Sequence, residues 1–129
     1  MKLFYIGAFG LLGVYARYAT GLLAAKYLAS PFPHGTFLIN IVGSFLIGVA
    51  YVLGAERSVL SADLRIGIAV GFLGGFTTFS SYSLEISRLI EERELWCAGL
   101  YFSLSSILGI LGAFSGLYLA RKFFNGGAA

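Results

Sequence analysis

The stretch Gly71-Phe72-Leu73-Gly74-Gly75-Phe76-Thr77-Thr78-Phe79-Ser80-Ser81-Tyr82-Ser83-Leu84-Glu85 lies in the middle of an apolar segment, where a membrane helix normally carries unbroken aliphatic side chains. It combines a double glycine with a cluster of hydroxyl side chains. Because glycine is a poor helix former and tolerates positive φ, we expect the helix to break at Gly74-Gly75. A break at membrane depth frees backbone polar groups, which only protein or a water-lined cavity can satisfy. The stretch therefore predicts an ion or solute site.

The composition of the chain is that of an integral membrane protein. Of its 129 residues, 58% are hydrophobic and only 12% are charged, whereas soluble domains carry about 25% charged residues. The mean hydropathy is +0.86. The net charge of +3 comes from basic residues scattered along the chain, a pattern that argues against nucleic-acid binding. Cys97 is the only cysteine, which excludes an intrachain disulfide and a cysteine-based metal site.

Four apolar segments predict an all-α membrane fold. The segments are residues 3–28, 36–55, 64–90 and 95–120. Each provides the roughly 20 residues that cross a bilayer core. The first is longer than the apolar region of a signal peptide, about 7–15 residues, so we expect it to be retained. Ser61 is a plausible N-cap of the third helix, and only the short end Asn125–Ala129 follows the fourth. We expect one four-helix transmembrane domain over residues 1–129.

The basic residues that flank the spans are divided between the two sides of the membrane. On one side the sequence places Lys2, Arg57, Arg65, Arg121 and Lys122. On the other side it places Lys26, Arg88 and Arg93. Because the side richer in Lys and Arg normally faces the cytoplasm, this small excess leaves two interpretations open. Either both termini face the cytoplasm, or the chain inserts in both orientations and pairs antiparallel.

Small residues recur at helical spacing in three of the spans. The pairs are Ser44 with Gly48, Gly67 with Gly71, and Gly112 with Gly116. Residues four positions apart lie on one face of a helix, where small side chains let two backbones approach closely in lipid. Because four helices make a thin bundle with little room for a pathway, we expect the chain to dimerise.

Polar side chains inside the spans are costly in lipid and are therefore candidates for function. They occur on three helices: Thr36, Asn40 and Ser44 in the second, Thr77, Thr78, Ser80, Ser81, Ser83 and Glu85 in the third, and Tyr101 and Ser105 in the fourth. A single hydroxyl can simply bond to its own helix. Stripes on three helices, however, predict one narrow polar track.

The chemistry of this track favours a small anion. Its amide and hydroxyl groups are neutral donors, and no acidic residue lies mid-span in the first, second or fourth helix. Arg17, inside the first span, either reaches back to the interface or draws anions into a vestibule. Aromatic ring edges are electropositive, so Phe76 and Phe79 either meet an anion or only pack. Glu85 lies towards the end of its span, so it either belongs to the polar track or has only a solvated or capping role.

Two segments together resemble the signature stretches of the Fluc (CrcB) family of fluoride channels: Gly35-Thr36-Phe37-Leu38-Ile39-Asn40-Ile41-Val42-Gly43-Ser44-Phe45 and Gly71–Glu85. The four spans, the chain length and Arg17 fit as well, so the resemblance covers essentially the whole chain. It implies an antiparallel, dual-topology homodimer with two pores in the cytoplasmic (inner or plasma) membrane. Such a channel exports fluoride passively and protects microbes from it, by conduction and not by catalysis.

The resemblance also implies roles for individual residues near the pore. Asn40 matches the pore asparagine, and Phe79 matches the first of two phenylalanines whose ring edges face fluoride. Tyr82 falls at the second of these positions, where the family usually has Phe. Arg17 matches a vestibule arginine, and Thr36 matches a threonine near the pore.

Five further residues match polar positions of the family. Ser80, Ser81 and Glu85 correspond to a polar track along the broken helix. Tyr101 and Ser105 correspond to pore-lining positions of the fourth span.

A structural sodium ion at the dimer centre is a further implication of the resemblance. The matching ligands are the backbone carbonyls of Gly74 and Thr77. The carbonyl end of a half-helix carries partial negative charge and suits a cation. One chain offers two such carbonyls, and a two-fold axis would supply four.

Two alternative functions remain at this point. A small dual-topology multidrug or cation exporter would need a glutamate in the first span, where this chain has Arg17. A non-transporting membrane packing subunit would leave the broken third span unexplained.

Overall fold

The computed structural model describes residues 1–125, and the regular structure in that range is helical. Four helical segments are long and apolar enough to span a membrane: Lys2–Tyr27, His34–Glu56, Ala62–Glu91 and Leu95–Phe124. Each agrees with a predicted span to within a few residues, so the four-span prediction is confirmed. Of the predicted short end, residues 126–129 lie outside the described range.

Three of the spans are formed by continuous helices. The first is α1 (Lys2–Tyr27), the second is α2 (His34–Tyr51), and the fourth is α6 (Leu95–Asn125). α2 continues into the π-helical segment Val52–Glu56. Pro33 precedes α2 as its N-cap residue, where a missing N–H costs nothing because the first amides of a helix lack partners within it.

The third span consists of two half-helices. The first half-helix, residues 62–76, comprises α3 (Ala62–Ile66), a π-helical segment (Gly67–Leu73) and α4 (Gly74–Phe76). Its N-cap is Ser61, whose Oγ accepts a hydrogen bond from the Leu64 amide at 3.3 Å, as predicted. The second half-helix is α5 (Phe79–Glu91).

The break in the third span is confirmed, but its predicted position at Gly74-Gly75 is wrong. Both glycines are helical, and the extended residues are Thr77 (φ −79°, ψ 157°) and Thr78 (φ −152°, ψ 115°). Gly75 serves close packing instead, because a Cβ there would lie 2.7 Å from the carbonyl oxygen of Gly10 in α1. Branching at Cβ favours extended backbone at the two threonines, and their hydroxyls can replace the lost helical hydrogen bonds.

The helices pack in two close pairs, and small residues line both contacts. α1 lies along the first half-helix, where a Cβ on Gly71 would approach the carbonyl oxygen of Ile6 to 2.8 Å. α2 lies along α6, where a Cβ on Gly48 would collide with the Ala113 carbonyl and one on Gly116 with the Phe45 carbonyl. The small-residue pairs of the sequence therefore bring together helices of one chain.

The outer surface of the four helices is apolar. Leu3 is 85% exposed and Trp96 is 81% exposed, and large apolar side chains are exposed on every span. Such a surface suits contact with lipid or with another membrane protein. At one end of the molecule, Arg121 Nε donates to Glu56 Oε2 at 3.0 Å. This ion pair joins the ends of the second and fourth spans, as expected when successive spans alternate in direction.

The close approach of α2 and α6 predicts that a methyl group at Gly48 is not tolerated. Gly48→Ala should lower the free energy of unfolding by about 1–3 kcal/mol, because its Cβ would meet the α6 backbone. Gly99→Ala is the matched control, since a Cβ at that position in α6 has no atom within 4 Å. The measurement is thermal unfolding of the purified protein in detergent. Equal melting temperatures for the two variants would contradict the packing described.

Candidate functional site

The polar backbone groups of the two extended residues at the break all have partners. The Thr77 amide donates to the Leu73 carbonyl at 2.9 Å, and the Thr77 carbonyl lies 3.5 Å from Arg17 Nη1. The Thr78 amide donates to Asn40 Oδ1 at 2.9 Å, and Asn40 Nδ2 donates to the Thr78 carbonyl at 3.0 Å. Side chains of α1 and α2 thus satisfy the backbone where it leaves the helix, as membrane depth requires.

Hydroxyl groups form a second network at the start of α5. Thr78 is its N-cap, with Oγ1 accepting from the Ser81 amide at 3.2 Å. The same Thr78 hydroxyl donates to Ser81 Oγ at 3.0 Å and lies 3.3 Å from Ser80 Oγ. Thr78 is 8% exposed. It is therefore the residue in which the backbone pairing and the hydroxyl network meet.

A groove of about 460 Å³ opens on one side of the break. Its lining comes from α2, the third span and α6: Asn40, Gly43, Ser44, Ile47, Ala69, Leu73, Gly74, Thr77, Thr78, Phe79, Tyr82, Ser105 and Ser106. The Ser105 hydroxyl is buried there and has no hydrogen-bond partner in the described part of the chain. The groove therefore contains an uncommitted hydrogen-bonding group.

A vestibule of about 730 Å³ opens on the other side of the break. Its polar lining residues are Arg17, Tyr18, Ser30, His34, Thr36, Thr78, Ser81 and Glu85. Thr78 lines both the vestibule and the groove. The two cavities therefore adjoin at this residue.

Glu85 is held by hydroxyl groups from two other helices. Thr36 Oγ1 donates to Oε1 at 2.7 Å, and Tyr101 Oη donates to Oε2 at 2.7 Å. Tyr101 is fully buried and Thr36 is 8% exposed. Of the interpretations left open by the sequence, a freely solvated Glu85 is thus excluded. The carboxylate joins α2, α5 and α6 at the edge of the vestibule.

The two aromatic residues predicted for the pore lie side by side. The ring centroids of Phe79 and Tyr82 are 5.7 Å apart, and Phe79 is 79% exposed beside the groove. Tyr82 is buried, and its hydroxyl lies 3.4 Å from the Phe102 carbonyl of α6, to which it donates. Its ring packs edge to face on Tyr101 at 5.1 Å. The hydroxyl of Tyr82 is thus directed towards the α6 backbone.

The predicted site residues gather around the break in two groups. The groove contains Asn40, Gly74, Thr77, Phe79, Tyr82 and Ser105. The vestibule contains Arg17, Thr36, Ser81 and Glu85, with Tyr101 behind Glu85. Ser80 is exposed and lines neither cavity, but its hydroxyl contacts Thr78.

In the sequence, Thr78 was named only as one hydroxyl of the polar track, whereas the structure gives it both the backbone pairing with Asn40 and the cap of α5. Its signal was its place directly before the first residue of a helix, where threonine is a favoured cap. This role of Thr78 was not predicted because the break was expected at Gly74-Gly75, so no helix start was expected at Phe79.

This arrangement defines a four-span membrane protein whose polar interior surrounds a broken helix. A family model described as CrcB-like protein, Camphor Resistance (CrcB), matches residues 4–117. The chain belongs to this family, as the resemblance of the two signature segments predicted.

Three relatives of similar length carry the name fluoride-specific ion channel FluC. The relative from Caulobacter vibrioides (strain NA1000 / CB15N) is 42% identical over 124 residues, covering 95% of this chain and 98% of that protein. The relative from Syntrophotalea carbinolica is 38% identical over 122 residues, covering 95% of this chain and 99% of that protein. The relative from Prosthecochloris aestuarii is 43% identical over 116 residues, covering 90% of each chain.

The hydrogen bonds to Glu85 predict a stabilising role for the buried Tyr101 hydroxyl. Tyr101→Phe should lower the free energy of unfolding by about 1–3 kcal/mol, because one carboxylate oxygen loses its donor in a buried site. Tyr118→Phe in the same helix is the control, since Tyr118 is 64% exposed. Denaturation in detergent, followed by tryptophan fluorescence, measures both. A Tyr101→Phe protein as stable as the control would show that this hydrogen bond contributes nothing.

Proposed function

We propose that this protein is a passive channel that conducts fluoride out of the cell across the cytoplasmic membrane. Two findings support the proposal: family membership with relatives named fluoride-specific ion channel, and a polar interior rich in neutral hydrogen-bond donors. Fluoride holds its hydration water strongly, so a pore must offer donors in place of that water. The donors must also be spread over several sites so that the ion can leave.

The donors of the groove are the observation that carries the proposal. The side-chain NH₂ group of Asn40 has two hydrogens to donate. One is donated to the Thr78 carbonyl, so one donor remains. The Ser105 hydroxyl in the same groove has no partner among the described residues. These groups provide uncharged N–H and O–H donors in one groove, which suits a small anion better than a cation.

The aromatic residues support the same assignment. An electropositive ring edge can face an anion that has lost water, and Phe79 presents its ring at the groove. Tyr82 lines the groove beside it while its hydroxyl bonds to Phe102. Tyr82 can therefore present a ring edge as the usual phenylalanine would. Arg17 in the vestibule supplies the positive charge that attracts anions to the approach.

The assembly that we propose is an antiparallel, dual-topology homodimer with two pores. The nearly balanced basic residues on the two sides support dual orientation. The groove is open on the surface of a single chain, with the exposed ring of Phe79 at its edge. A second copy would enclose it and complete the path that one thin bundle leaves open.

A structural sodium ion at the centre of this dimer fits the carbonyl groups at the break. Gly74 lies in the last turn of the first half-helix, Thr77 directly follows that helix, and both line the groove. The Thr77 carbonyl lies 3.5 Å from Arg17 Nη1 and keeps a second lone pair. The carbonyl end of a helix is partially negative, and carbonyl oxygens are suitable ligands for a hard cation. We propose that the Gly74 and Thr77 carbonyls hold this ion together with their symmetry copies, where it would neutralise the two converging helix ends.

Fluoride efflux from proteoliposomes tests the proposal. Vesicles loaded with fluoride or chloride, with potassium and valinomycin to balance charge, should release fluoride and retain chloride. The informative variant is Asn40→Asp, in which a negative carboxylate replaces the amide donor to the Thr78 carbonyl. Its efflux should fall to that of protein-free vesicles.

The control for this measurement is Ser87→Ala, an exposed site on α5 outside both cavities, which should conduct like the unmodified protein. Equal fluoride and chloride release would refute a selective channel, and undiminished efflux through Asn40→Asp would remove Asn40 from the pore. Export of an organic cation without fluoride flux would favour the multidrug exporter.

Dual topology predicts that one surface loop is found on both sides of the membrane. A single cysteine at Val59, an exposed position between the second and third spans, is placed in a Cys97→Ala background. In cells treated with a membrane-impermeant maleimide, about half of the molecules should react, and all should react after permeabilisation. Labelling of nearly all or nearly none in intact cells would indicate one orientation and overturn the antiparallel dimer.

A further inference from the structure

The direction of the hydrogen bonds among the three hydroxyls at the start of α5 follows from the single hydrogen that each hydroxyl can donate. A hydroxyl has one hydrogen to donate, and Thr78 donates its hydrogen to Ser81 Oγ at 3.0 Å. Thr78 and Ser80 are also within hydrogen-bond distance, at 3.3 Å. Since the Thr78 hydrogen is already used, Ser80 is the donor in that pair. The hydrogen bonds therefore run from Ser80 to Thr78 and from Thr78 to Ser81.

This order leaves Ser81 with the uncommitted hydrogen. Ser81 Oγ accepts from Thr78, and no hydrogen bond donated by Ser81 Oγ occurs among the described residues. Ser81 lines the vestibule together with Arg17 and Glu85. Both oxygens of Glu85 already accept hydrogen bonds, from Thr36 and Tyr101. Ser81 therefore has a hydroxyl hydrogen available at the wall of the cavity that Arg17 also lines.

We propose that Thr78 is a positioning residue for anion transfer: its hydroxyl fixes and polarises the Ser81 hydroxyl, which donates to the anion as it passes from the vestibule to the groove. Accepting one hydrogen bond makes a hydroxyl a stronger donor of the next. The inference rests on the proposed function, since the anion is fluoride. It assigns the sequence of donors at the break, which the family resemblance does not contain.

The surroundings of Thr78 suit this role because burial and several hydrogen bonds hold the residue in place. Both polar backbone groups are paired with Asn40. The side chain is 8% exposed, and its Oγ1 also caps the Ser81 amide. The branched side chain has few rotamers. Its hydroxyl therefore stays at the point where groove and vestibule adjoin.

The test is the fluoride concentration that gives half-maximal flux in proteoliposomes. Ser81→Ala should raise it about tenfold, the value of one hydrogen bond to an anion. Thr78→Val keeps the shape of the side chain but removes the hydroxyl, and should raise the half-maximal fluoride concentration about three- to tenfold. Thr78→Ser keeps a hydroxyl and should show the half-maximal concentration of the unmodified protein. The double variant should be no worse than Ser81→Ala alone, because both changes remove the same donor.

Further variants distinguish the role of Thr78 from a loss of folding and from a failure of the proposed function. Thr78→Val also removes a helix cap, which costs about 1 kcal/mol; if it fails to fold, Ser80→Ala and Ser81→Ala decide, with the larger effect expected at Ser81. Ser87→Ala serves again as the control. Absence of fluoride flux in the unmodified protein would refute the proposed function. Normal flux with an unchanged half-maximal concentration in Thr78→Val, or a larger effect of Ser80→Ala than of Ser81→Ala, would overturn the role of Thr78.

Discussion

The pairing of the Asn40 side chain with the backbone of Thr78 is the interaction on which the interior depends. In a bilayer an unpaired amide or carbonyl costs several kcal/mol, and the break exposes both groups of Thr78. One carboxamide satisfies them together, with its oxygen accepting at 2.9 Å and its nitrogen donating at 3.0 Å. No other neutral side chain except that of glutamine offers an acceptor and a donor in this geometry. Asn40 therefore stabilises the extended backbone at the break, and it also lines the groove.

The break in turn creates the polar interior. Where the chain leaves the first half-helix, the Thr77 carbonyl is available to a group outside that helix, and Arg17 Nη1 lies 3.5 Å from it. Where it enters α5, it presents a capped helix start with Thr78, Ser80 and Ser81. A continuous helix would bury its amides and carbonyls in its own hydrogen bonds and offer neither. The two cavities adjoin at the break for the same reason, since that is where two ends of helix face each other.

The four spans could be predicted from the sequence, because length and hydropathy are local properties, and so could the presence of polar residues around a break in the third span. The position of the break could not. Gly75 has the low helix propensity that marked it, but tertiary packing overrides propensity: α1 approaches so closely that only glycine fits. The partners of Glu85 could not be predicted either, since Thr36 and Tyr101 are 49 and 16 residues away in the chain. Contacts between helices depend on their relative rotation, which spacing within one helix does not determine.

Tyr82 shows how the fold accommodates a hydroxyl at a position where the family resemblance implies phenylalanine. A hydroxyl added to a groove-lining ring would cost free energy if it lost water without gaining a partner. Here it reaches the Phe102 carbonyl, an acceptor that also binds the Ser106 hydroxyl at 2.9 Å. The Tyr82 contact is the longer of the two, at 3.4 Å. The ring is meanwhile fixed between Phe79 and Tyr101. The Tyr82 hydroxyl is thus accommodated by the neighbouring helix, although the residue lines the groove.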